Sequence, residues 1–295
     1  MKATQTRLLA WYARHGRAHL PWRTTRDPYR ILVSEFMLQQ TQVERVLPKY
    51  RAFLKRFPNF GKLAAASVAD VVCEWQGLGY NSRAVRLKRI AEIVIERFNG
   101  VMPSDAETLR TLPGIGAYTA AALRAFAFDI DDAAIDTNVR RVVHRLRYGV
   151  EHPPKVTQAE LDAEAQAFVP HSHGHDWNSA LMDLGATICT ARAPKCEICP
   201  LQKFCAAAPI DAAALMRARS PKRAAMPFAQ TTRFARGRII DRLRRLPPGK
   251  RVSLLVLHRE LDLPGRSREE VAALVKALAR DGLVTLRKAQ VALAD

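Results

Sequence analysis

Four of the five cysteines in this 295-residue chain lie between residues 189 and 205, in the sequence CTARAPKCEICPLQKFC. The spacing is C-x6-C-x2-C-x5-C, formed by Cys189, Cys196, Cys199 and Cys205. Thiolates this close along a chain can surround one metal ion or one cluster, so the segment is constrained to fold as a loop around a common centre. Zinc ribbons more often carry two CxxC pairs. The single pair with unequal spacers therefore favours an iron-sulfur centre, although the spacing also permits zinc.

The charge of the chain indicates the kind of partner. Lys and Arg number 47 against 28 Asp and Glu, a formal net charge of +19, which attracts polyanions such as nucleic acid. A basic protein without a nucleic-acid function is the alternative. No apolar run reaches the ~18 residues of a membrane span, and the N-terminus lacks a signal-peptide core. We therefore expect a soluble protein of the bacterial cytoplasm, associated with the nucleoid and not with a membrane.

Apolar residues recur at three- and four-residue spacing along most of the chain, for example in residues 28–57 and 269–280, which predicts helices. We expect an all-helical domain over residues 1–211 and a basic linker over 212–232. Residues 233–295 read as a helix, a short helix, a helix and a terminal strand pair. This order is typical of a winged-helix domain, which binds DNA in some proteins and other proteins elsewhere.

The string LPGIGAYTAAAL, residues 112–123, predicts a tight turn that runs into a helix. Gly114 and Gly116 would let the backbone turn sharply and let a phosphate approach the amides at the start of that helix. Such a turn would hold a DNA backbone without reading sequence. A plain connection between two helices is the alternative.

Two carboxylates stand in different surroundings. Glu35 lies in YRILVSEFMLQQ, where a helix would surround it with apolar neighbours, and Asp136 lies in AAIDTNVRRV at the start of a helix. A pair in unlike environments suits acid-base chemistry combined with stabilisation of a cation. The alternatives are a half-exposed helix charge for Glu35 and a simple N-cap for Asp136.

These segments together resemble one family. SEFMLQQTQV, LPGIGxxTA, IDTNVRRV and the cysteine loop after MDLGATIC are similar to the MutY-type adenine glycosylases of the helix-hairpin-helix superfamily over about the first 205 residues. The resemblance implies an all-α, two-lobed DNA glycosylase fold with a 4Fe-4S cluster in the loop 189–205, plus the small C-terminal winged-helix-like domain. In the family this loop presents basic residues to DNA, here Arg192 and Lys195.

The resemblance also assigns catalytic roles. Glu35 would be the general acid and then the activator of water, Asp136 would stabilise the cationic sugar, and Asn138 would assist the acid. Tyr118 occupies the position where bifunctional relatives carry a nucleophilic lysine, and Arg140 stands where some relatives have lysine. The enzyme is therefore expected to be monofunctional.

Further residues resemble those that bind DNA in the family. The adenine pocket would be walled by Trp22, Arg23, Leu38 and Val43. Gln40 and Thr41 would form a wedge, and Tyr80 would intercalate. Ser179 departs from the pattern, because the family usually has Gln or Glu there, and residues 212–295 do not resemble the Nudix-like domain that usually follows.

We therefore expect a monomeric glycosylase that acts on double-stranded DNA containing a mismatched or damaged pair, removing adenine opposite guanine or 8-oxoguanine. A thymine or uracil glycosylase acting on G:T or G:U pairs is the alternative within the superfamily. A non-catalytic DNA-binding regulator is the alternative of another class, and the intact pair of Glu35 and Asp136 argues against it.

Overall fold

The computed structural model describes residues 1–151, 155–217, 226–247, 249–261, 263 and 265–295. The described helices, in chain order, are α1 (Lys2–His15), α2 (Pro28–Leu38), α3 (Val43–Arg56), α4 (Phe60–Ala64), α5 (Val68–Glu74), α6 (Ser82–Phe98), α7 (Ala106–Arg110), α8 (Ala117–Ala127), α9 (Thr137–Tyr148), α10 (Gln158–Phe168), α11 (Gly174–Thr187), α12 (Ala212–Arg217), α13 (Thr232–Arg244), α14 (Leu254–Glu260) and α15 (Arg268–Arg280). The described strands are β1 (Val252–Ser253), β2 (Val284–Arg287) and β3 (Gln290–Leu293). None of these helices has the length and apolar character that crossing a bilayer requires.

The chain forms two compact units. The first comprises Met1–Leu32, Pro103–Thr111 and Ile115–Pro221, and the second comprises Val33–Met102, Leu112–Gly114 and Lys222–Asp295. The predominance of helix up to the cysteine loop confirms the predicted all-helical character of this part of the chain.

The core of the first unit lies among α1, α9, α10 and α11. Helix α9 buries Val139, Val142, Val143 and Leu146, the three- and four-residue spacing of one helix face. Trp177 of α11 stacks on Phe168 of α10 with 6.4 Å between ring centroids. The cysteine loop closes against the same core, and it is anchored by main-chain hydrogen bonds from Ala206 and Ala207 to the end of α9.

The core of the second unit is built by α3, α5 and α6. Helix α3 buries Val46, Tyr50 and Phe53 at helical spacing. Phe53 meets Trp75 edge to face, with 5.8 Å between ring centroids. Helix α6 contributes the buried side chains of Leu87, Ile90 and Val94. The segment that follows α2 and the segment that precedes α6 belong to this unit, and several predicted site residues lie in them.

The C-terminal residues belong to the second unit. Helices α13 and α15 bury apolar faces, and β1, β3 and β2 form an antiparallel sheet in that order, with Val252 opposite Val291 and Val284 opposite Leu293. The two-residue strand β1 is too short to show the alternation by which a strand is recognised in a sequence. The described part of the predicted linker contains α12 and a 3-10 turn at Phe228–Gln230; its residues 218–225 lie outside the described residues.

A buried arginine joins the C-terminal residues to the helices of this unit. Arg244 donates to the main-chain oxygen of Val72 at 2.8 Å and to the Oδ1 of Asn81 at 2.9 Å. Gly282 lies so close to α6 that an added Cβ would be 3.4 Å from Val85. Helix α13 and the segment around Gly282 therefore pack directly beside the loop that carries Tyr80.

Candidate active site and metal centre

Glu35 lies on α2 among side chains that exclude water. Its relative exposure is 6%, and its neighbours Val33, Phe36 and Met37 are at most 1% exposed. The predicted surroundings of apolar side chains are therefore present along this helix. Leu38, the last residue of α2, and Val43, the first residue of α3, are half-buried.

The guanidinium of Arg83 fixes the end of α2. This side chain is 4% exposed and donates to the main-chain oxygens of Phe36 at 2.7 Å and Met37 at 3.0 Å, and also to that of Gln39. These carbonyls at the end of a helix have no partner within the helix itself. Burial lowers the pKa of Arg83 to about 10, so that the group stays charged at neutral pH and supplies charge-assisted bonds.

The same guanidinium holds two loops together. Its Nη2 donates to the Thr41 Oγ1 at 3.1 Å and to the main-chain oxygens of Leu78 and Gly79 at 2.9 and 3.1 Å. Gln40 is exposed and has a left-handed backbone, with φ of 57°. The predicted wedge of Gln40 and Thr41 and the loop that precedes Tyr80 are thus held by one buried side chain.

The Pro-Gly turn behaves as its sequence indicates. Gly114 has a φ of +86°, and an added Cβ would be 3.0 Å from Arg86 and 3.4 Å from Phe36. Gly116 precedes α8, where an added Cβ would meet nothing within 4 Å. Gly116 and Ala117 are exposed, and the first amides of a helix have no partner within it, so the start of α8 is suited to bind a ligand. Tyr118, the second residue of α8, is half-buried.

Asp136 caps α9, as its local sequence indicates. Its Oδ1 accepts from the amide of Val139 at 2.7 Å, and its Oδ2 accepts from the Nδ2 of Asn138 at 3.2 Å. The carboxylate therefore has a fixed orientation at the positive end of a helix, where a negative charge is favoured.

A chain of hydrogen bonds leads from Asp136 to the cysteine loop. The Oδ1 of Asn138 accepts from Arg141 at 2.9 Å, and Arg141 also donates to the main-chain oxygens of Gly185 and Cys189 at 2.7 and 2.9 Å. An added Cβ on Gly185 would be 2.8 Å from the Cβ of Asn138, so glycine permits the close approach of α11 to α9. The position of the cysteine loop is thereby linked to that of Asp136.

The region around Arg23 contains buried polar atoms. Asp183, 1% exposed, accepts three hydrogen bonds from Arg17 and lies 3.7 Å from the Nη2 of Arg23. The Arg23 guanidinium lies 5.4 Å from the centre of the Phe126 ring, and the His175 ring meets the same Phe126 ring edge to face. Burial lowers the pKa of His175, so its ring is neutral at neutral pH.

One donor of this region, the Nη1 of Arg23, has no acceptor among the described residues. Buried polar groups are nearly always hydrogen-bonded, so an unpaired donor indicates a place for a ligand or water. Trp22, which precedes Arg23 in the sequence, is buried, and Ser179 on α11 is fully buried. These residues coincide with the predicted base pocket.

The four loop cysteines line one small cavity, together with Pro194, Lys195 and Ile210 among others. Among the described residues no His, Cys, Asp or Glu group is arranged to hold a single metal ion. Burial raises the pKa of the Cys199 thiol to about 11 and also raises that of Cys205. These sulfurs therefore need a positive centre to become thiolates. A set of four thiolates around a cavity fits an iron-sulfur cluster.

Arg145 organises this loop from within. It is 2% exposed and donates to the Sγ of Cys189 at 3.5 Å, to the main-chain oxygen of Thr190 at 2.8 Å and to Glu151 at 2.7 Å. A cluster bound here would be held by the thiolates of the four cysteines and would support the structure of this loop. Hydrogen bonds to a ligating sulfur also tune the electronic properties of such a centre.

Comparison with known proteins identifies the family. Residues 33–166 match the family described as HhH-GPD superfamily base excision DNA repair protein, and residues 189–205 match the iron-sulfur binding domain of endonuclease III. A relative named adenine DNA glycosylase from Mycolicibacterium smegmatis is 44% identical over 245 residues, which cover 83% of this chain and 81% of the relative. The chain belongs to the adenine DNA glycosylase family. It is thus a DNA N-glycosylase of base excision repair with an iron-sulfur loop.

Other comparisons agree with this placement. The adenine DNA glycosylase of Mycobacterium tuberculosis strain H37Rv is 43% identical over 243 residues, covering 82% of this chain and 78% of the relative. A solved thermostable thymine-DNA glycosylase superposes with a TM-score of 0.65 at 32% identity, covering 70% of this chain and 95% of that one. A trapped endonuclease III-DNA intermediate superposes with a TM-score of 0.61 at 21% identity, covering 73% of this chain and 97% of that one. This similarity shows that the two proteins share a fold.

The glycosylase divides its predicted site residues between the two units. The second unit carries Glu35, Leu38, Gln40, Thr41, Val43, Tyr80 and Gly114, and the first carries Trp22, Arg23, Gly116, Tyr118, Asp136, Asn138, Ser179 and the four loop cysteines. Sequence reasoning missed Arg83, Arg141, Arg145 and Asp183. The four-residue spacing of Arg141 and Arg145 places both on one side of α9. Because the same spacing is usual for solvated charges, the sequence carries no signal that these two arginines are buried.

The cysteine cavity generates a test of the metal centre. We expect purified protein to be brown, with about four iron atoms and four sulfides per chain. Replacing Cys199 with Ser removes one ligand and should lower the iron content and the affinity for DNA. Cys73→Ser is the matched control, because Cys73 lies outside the loop, and it should leave the iron content unchanged. A colourless protein that contains one zinc per chain would contradict the iron-sulfur assignment.

The hydrogen bonds of Asp136 generate a test that separates catalysis from capping. Asp136→Asn keeps an N-cap of about equal strength but removes the charge. We expect single-turnover base excision to fall at least about 100-fold, of order 3 kcal/mol in the barrier, with little change in melting temperature. Asp105→Asn is the control, because Asp105 caps α7 through the amide of Thr108 in the same way. Near-wild-type excision by Asp136→Asn would leave this residue a cap only.

Proposed function

We propose that this enzyme hydrolyses the N-glycosidic bond of adenine mispaired with guanine or 8-oxoguanine in double-stranded DNA. The observation that carries the proposal is that Glu35 is buried on α2. The match to a relative named adenine DNA glycosylase, which covers 81% of that relative, supports it. A leaving purine needs a proton, and a carboxyl group withdrawn from water is suited to deliver one.

In the proposed reaction Glu35 donates its proton to a ring nitrogen of the adenine as the bond between the base and C1′ breaks. The bonding electron pair leaves with the base, and positive charge develops on the sugar. Asp136, oriented by the amide of Val139 and by Asn138, faces this charge as a carboxylate and stabilises it. Water then attacks C1′ and returns a proton to Glu35. The products are free adenine and an abasic site.

The absence of an amine at position 118 supports a monofunctional reaction. Tyr118 stands at the start of α8, where bifunctional relatives have a nucleophilic lysine. A phenol cannot form the Schiff base through which such enzymes cleave the strand. Water is therefore the nucleophile of the proposed reaction.

The DNA would be held at several places. The amides after Gly116 and the exposed side chains of Arg192 and Lys195 suit phosphates. The exposed Gln40 and Tyr80 suit insertion into the duplex beside an extruded base. Trp22, Arg23 and Ser179 would surround the extruded base. The Nη1 of Arg23, which lacks an acceptor among the described residues, supports a polar ligand in this region.

We also propose the arrangement of domains and the setting. Residues 1–211 would form the glycosylase domain, 212–232 a linker, and 233–295 a winged-helix domain, supported by the order of α13, β1, α14, α15 and the β2–β3 pair. The enzyme would work as a monomer at the nucleoid in the bacterial cytoplasm. A role as a non-catalytic regulator is disfavoured by the buried Glu35 and the oriented Asp136.

A second candidate activity is removal of thymine or uracil from pairs with guanine. It is favoured by the superposition on a thymine-DNA glycosylase over 95% of that chain, at 32% identity. The short hydroxyl of Ser179 replaces the longer side chain expected to contact an adenine edge. A shorter partner loosens the selection of the base, because discrimination of this kind depends on paired polar groups.

A panel of duplexes tests the choice between these activities and the mode of cleavage. We expect single-turnover excision from A:G and A:8-oxoG duplexes and at least about 100-fold slower excision from T:G and U:G, as unpaired polar groups would impose. Strand breaks should appear only after alkali, and borohydride should trap little covalent complex. Faster release of thymine or uracil would favour the second candidate. Efficient trapping would show that an amine attacks the sugar.

A further inference from the structure

A groove runs between α13 and the loop 79–82 inside the second unit. Its volume is about 600 Å³. Its lining includes Tyr80, Phe228, Arg233, Gly237 and Arg238. The C-terminal residues therefore supply most of a groove whose other side carries Tyr80.

Tyr80 is held in this groove in an exposed conformation. It is 41% exposed and has a left-handed backbone, with φ of 45°, directly after Gly79, whose φ is 70°. Non-glycine residues adopt this backbone at an energetic cost, so the surroundings must hold it there. Arg83 supplies part of that hold, since it bonds the oxygens of residues 78 and 79 and lies 5.7 Å from the Tyr80 ring centre.

A second arginine comes from the C-terminal residues. The Nη1 of Arg233 donates to the Tyr80 Oη at 2.9 Å, and its guanidinium carbon lies 4.1 Å from the ring centre. The same carbon lies 5.8 Å from the ring of Phe228, which is 59% exposed. Two exposed aromatic rings therefore flank one guanidinium. This combination of ring faces and arginine is the one on which nucleic-acid bases stack.

Some arginines of α13 form ion pairs within the protein, whereas others line the groove. Arg236 pairs with Asp281, Arg242 with Glu260 at 2.5 Å, and Arg244 with Asp241 at 2.6 Å. Arg233 and Arg238 are exposed and form no ion pair with a carboxylate of the described residues. Both line the groove, where their charges suit an anion such as a phosphate.

Gly237 leaves one part of the groove wall without a side chain. It lies inside α13, where glycine destabilises a helix relative to other residues. An added Cβ would meet nothing within 4 Å, so packing of the protein does not require glycine here. The bare backbone lies one turn from Arg233 and allows a flat ligand to approach the helix closely.

From these contacts we propose that the groove binds a nucleotide of the DNA substrate. Its base stacks against Tyr80 and Phe228, and its phosphate meets Arg233 and Arg238. The C-terminal residues thus form part of the DNA-binding surface beside Tyr80 and hold this side chain in place. The proposal rests on the proposed function in one respect, namely that the substrate is DNA.

The charge test uses two double variants of equal net charge. Arg233→Gln/Arg238→Gln should weaken binding of a mismatch duplex about 10-fold or more and reduce the salt slope of binding by about 1, because the two arginines contact one phosphate. Arg242→Gln/Arg259→Gln is the control, since neither residue lines the groove. It should have a smaller effect. Equal effects of the two pairs would overturn the proposal and leave only the general attraction of a basic protein.

The shape test uses Gly237→Gln. This change fills the groove and favours the helix, so the melting temperature should be equal or higher while the affinity for the mismatch duplex falls several-fold. Wild-type affinity in this variant would overturn the proposal and leave the groove to a ligand other than DNA, such as a peptide. If the wild-type enzyme excises no base and binds no duplex, the proposed function itself fails. If the wild-type enzyme excises the base but the groove variants bind DNA as their controls do, only this inference fails.

Discussion

The site depends on arginine side chains that are buried against main-chain oxygens. Arg83 bonds the last turn of α2 and two loops at once, and no neutral side chain supplies as many donors in a fixed plane. Removal of Arg83 would leave several buried oxygens without a donor, and each such unsatisfied group costs about 1–3 kcal/mol. The two loops that are proposed to meet DNA are in this way fixed to the end of α2.

In the first unit, arginine side chains likewise donate to main-chain oxygens around the cysteine loop. Arg141 joins Asn138 to the main-chain oxygen of Cys189, and Arg145 joins Cys189 to Glu151. The orientation of Asp136 therefore depends on side chains that also fix the first cysteine of the loop. This arrangement gives a physical reason for a metal centre in an enzyme whose proposed chemistry needs no metal: the loop that holds it also supports the carboxylate.

The sequence predicted those parts of the site that depend on local chemistry. The cysteine spacing, the Pro-Gly turn at Gly114 and the apolar helix around Glu35 each follow from neighbouring residues. The cap at Asp136 was also readable, because an aspartate three residues before a helical amide is a common N-cap. The family resemblance supplied the roles that local chemistry leaves open.

The rest could not be predicted because it depends on residues far apart in the chain. Arg83 binds oxygens more than 40 residues away, and Arg233 meets Tyr80 across 153 residues. An arginine in a basic chain is usually a solvated charge, so nothing in its neighbours marks it as buried. Likewise, the composition of residues 212–232 indicates a linker, but composition does not reveal that the helix beginning at Thr232 packs beside Tyr80.

The central proposal is that Glu35 and Asp136 act together on one glycosidic bond. The most direct measurement is single-turnover adenine excision by Glu35→Gln, Asp136→Asn and the double variant, at saturating enzyme. Groups that act as one catalytic unit are not additive. The account predicts a fall of at least about 100-fold for each single change, with the double variant within a few-fold of the slower one. Losses that multiply, to about 10⁴-fold or more, would show independent contributions and contradict it.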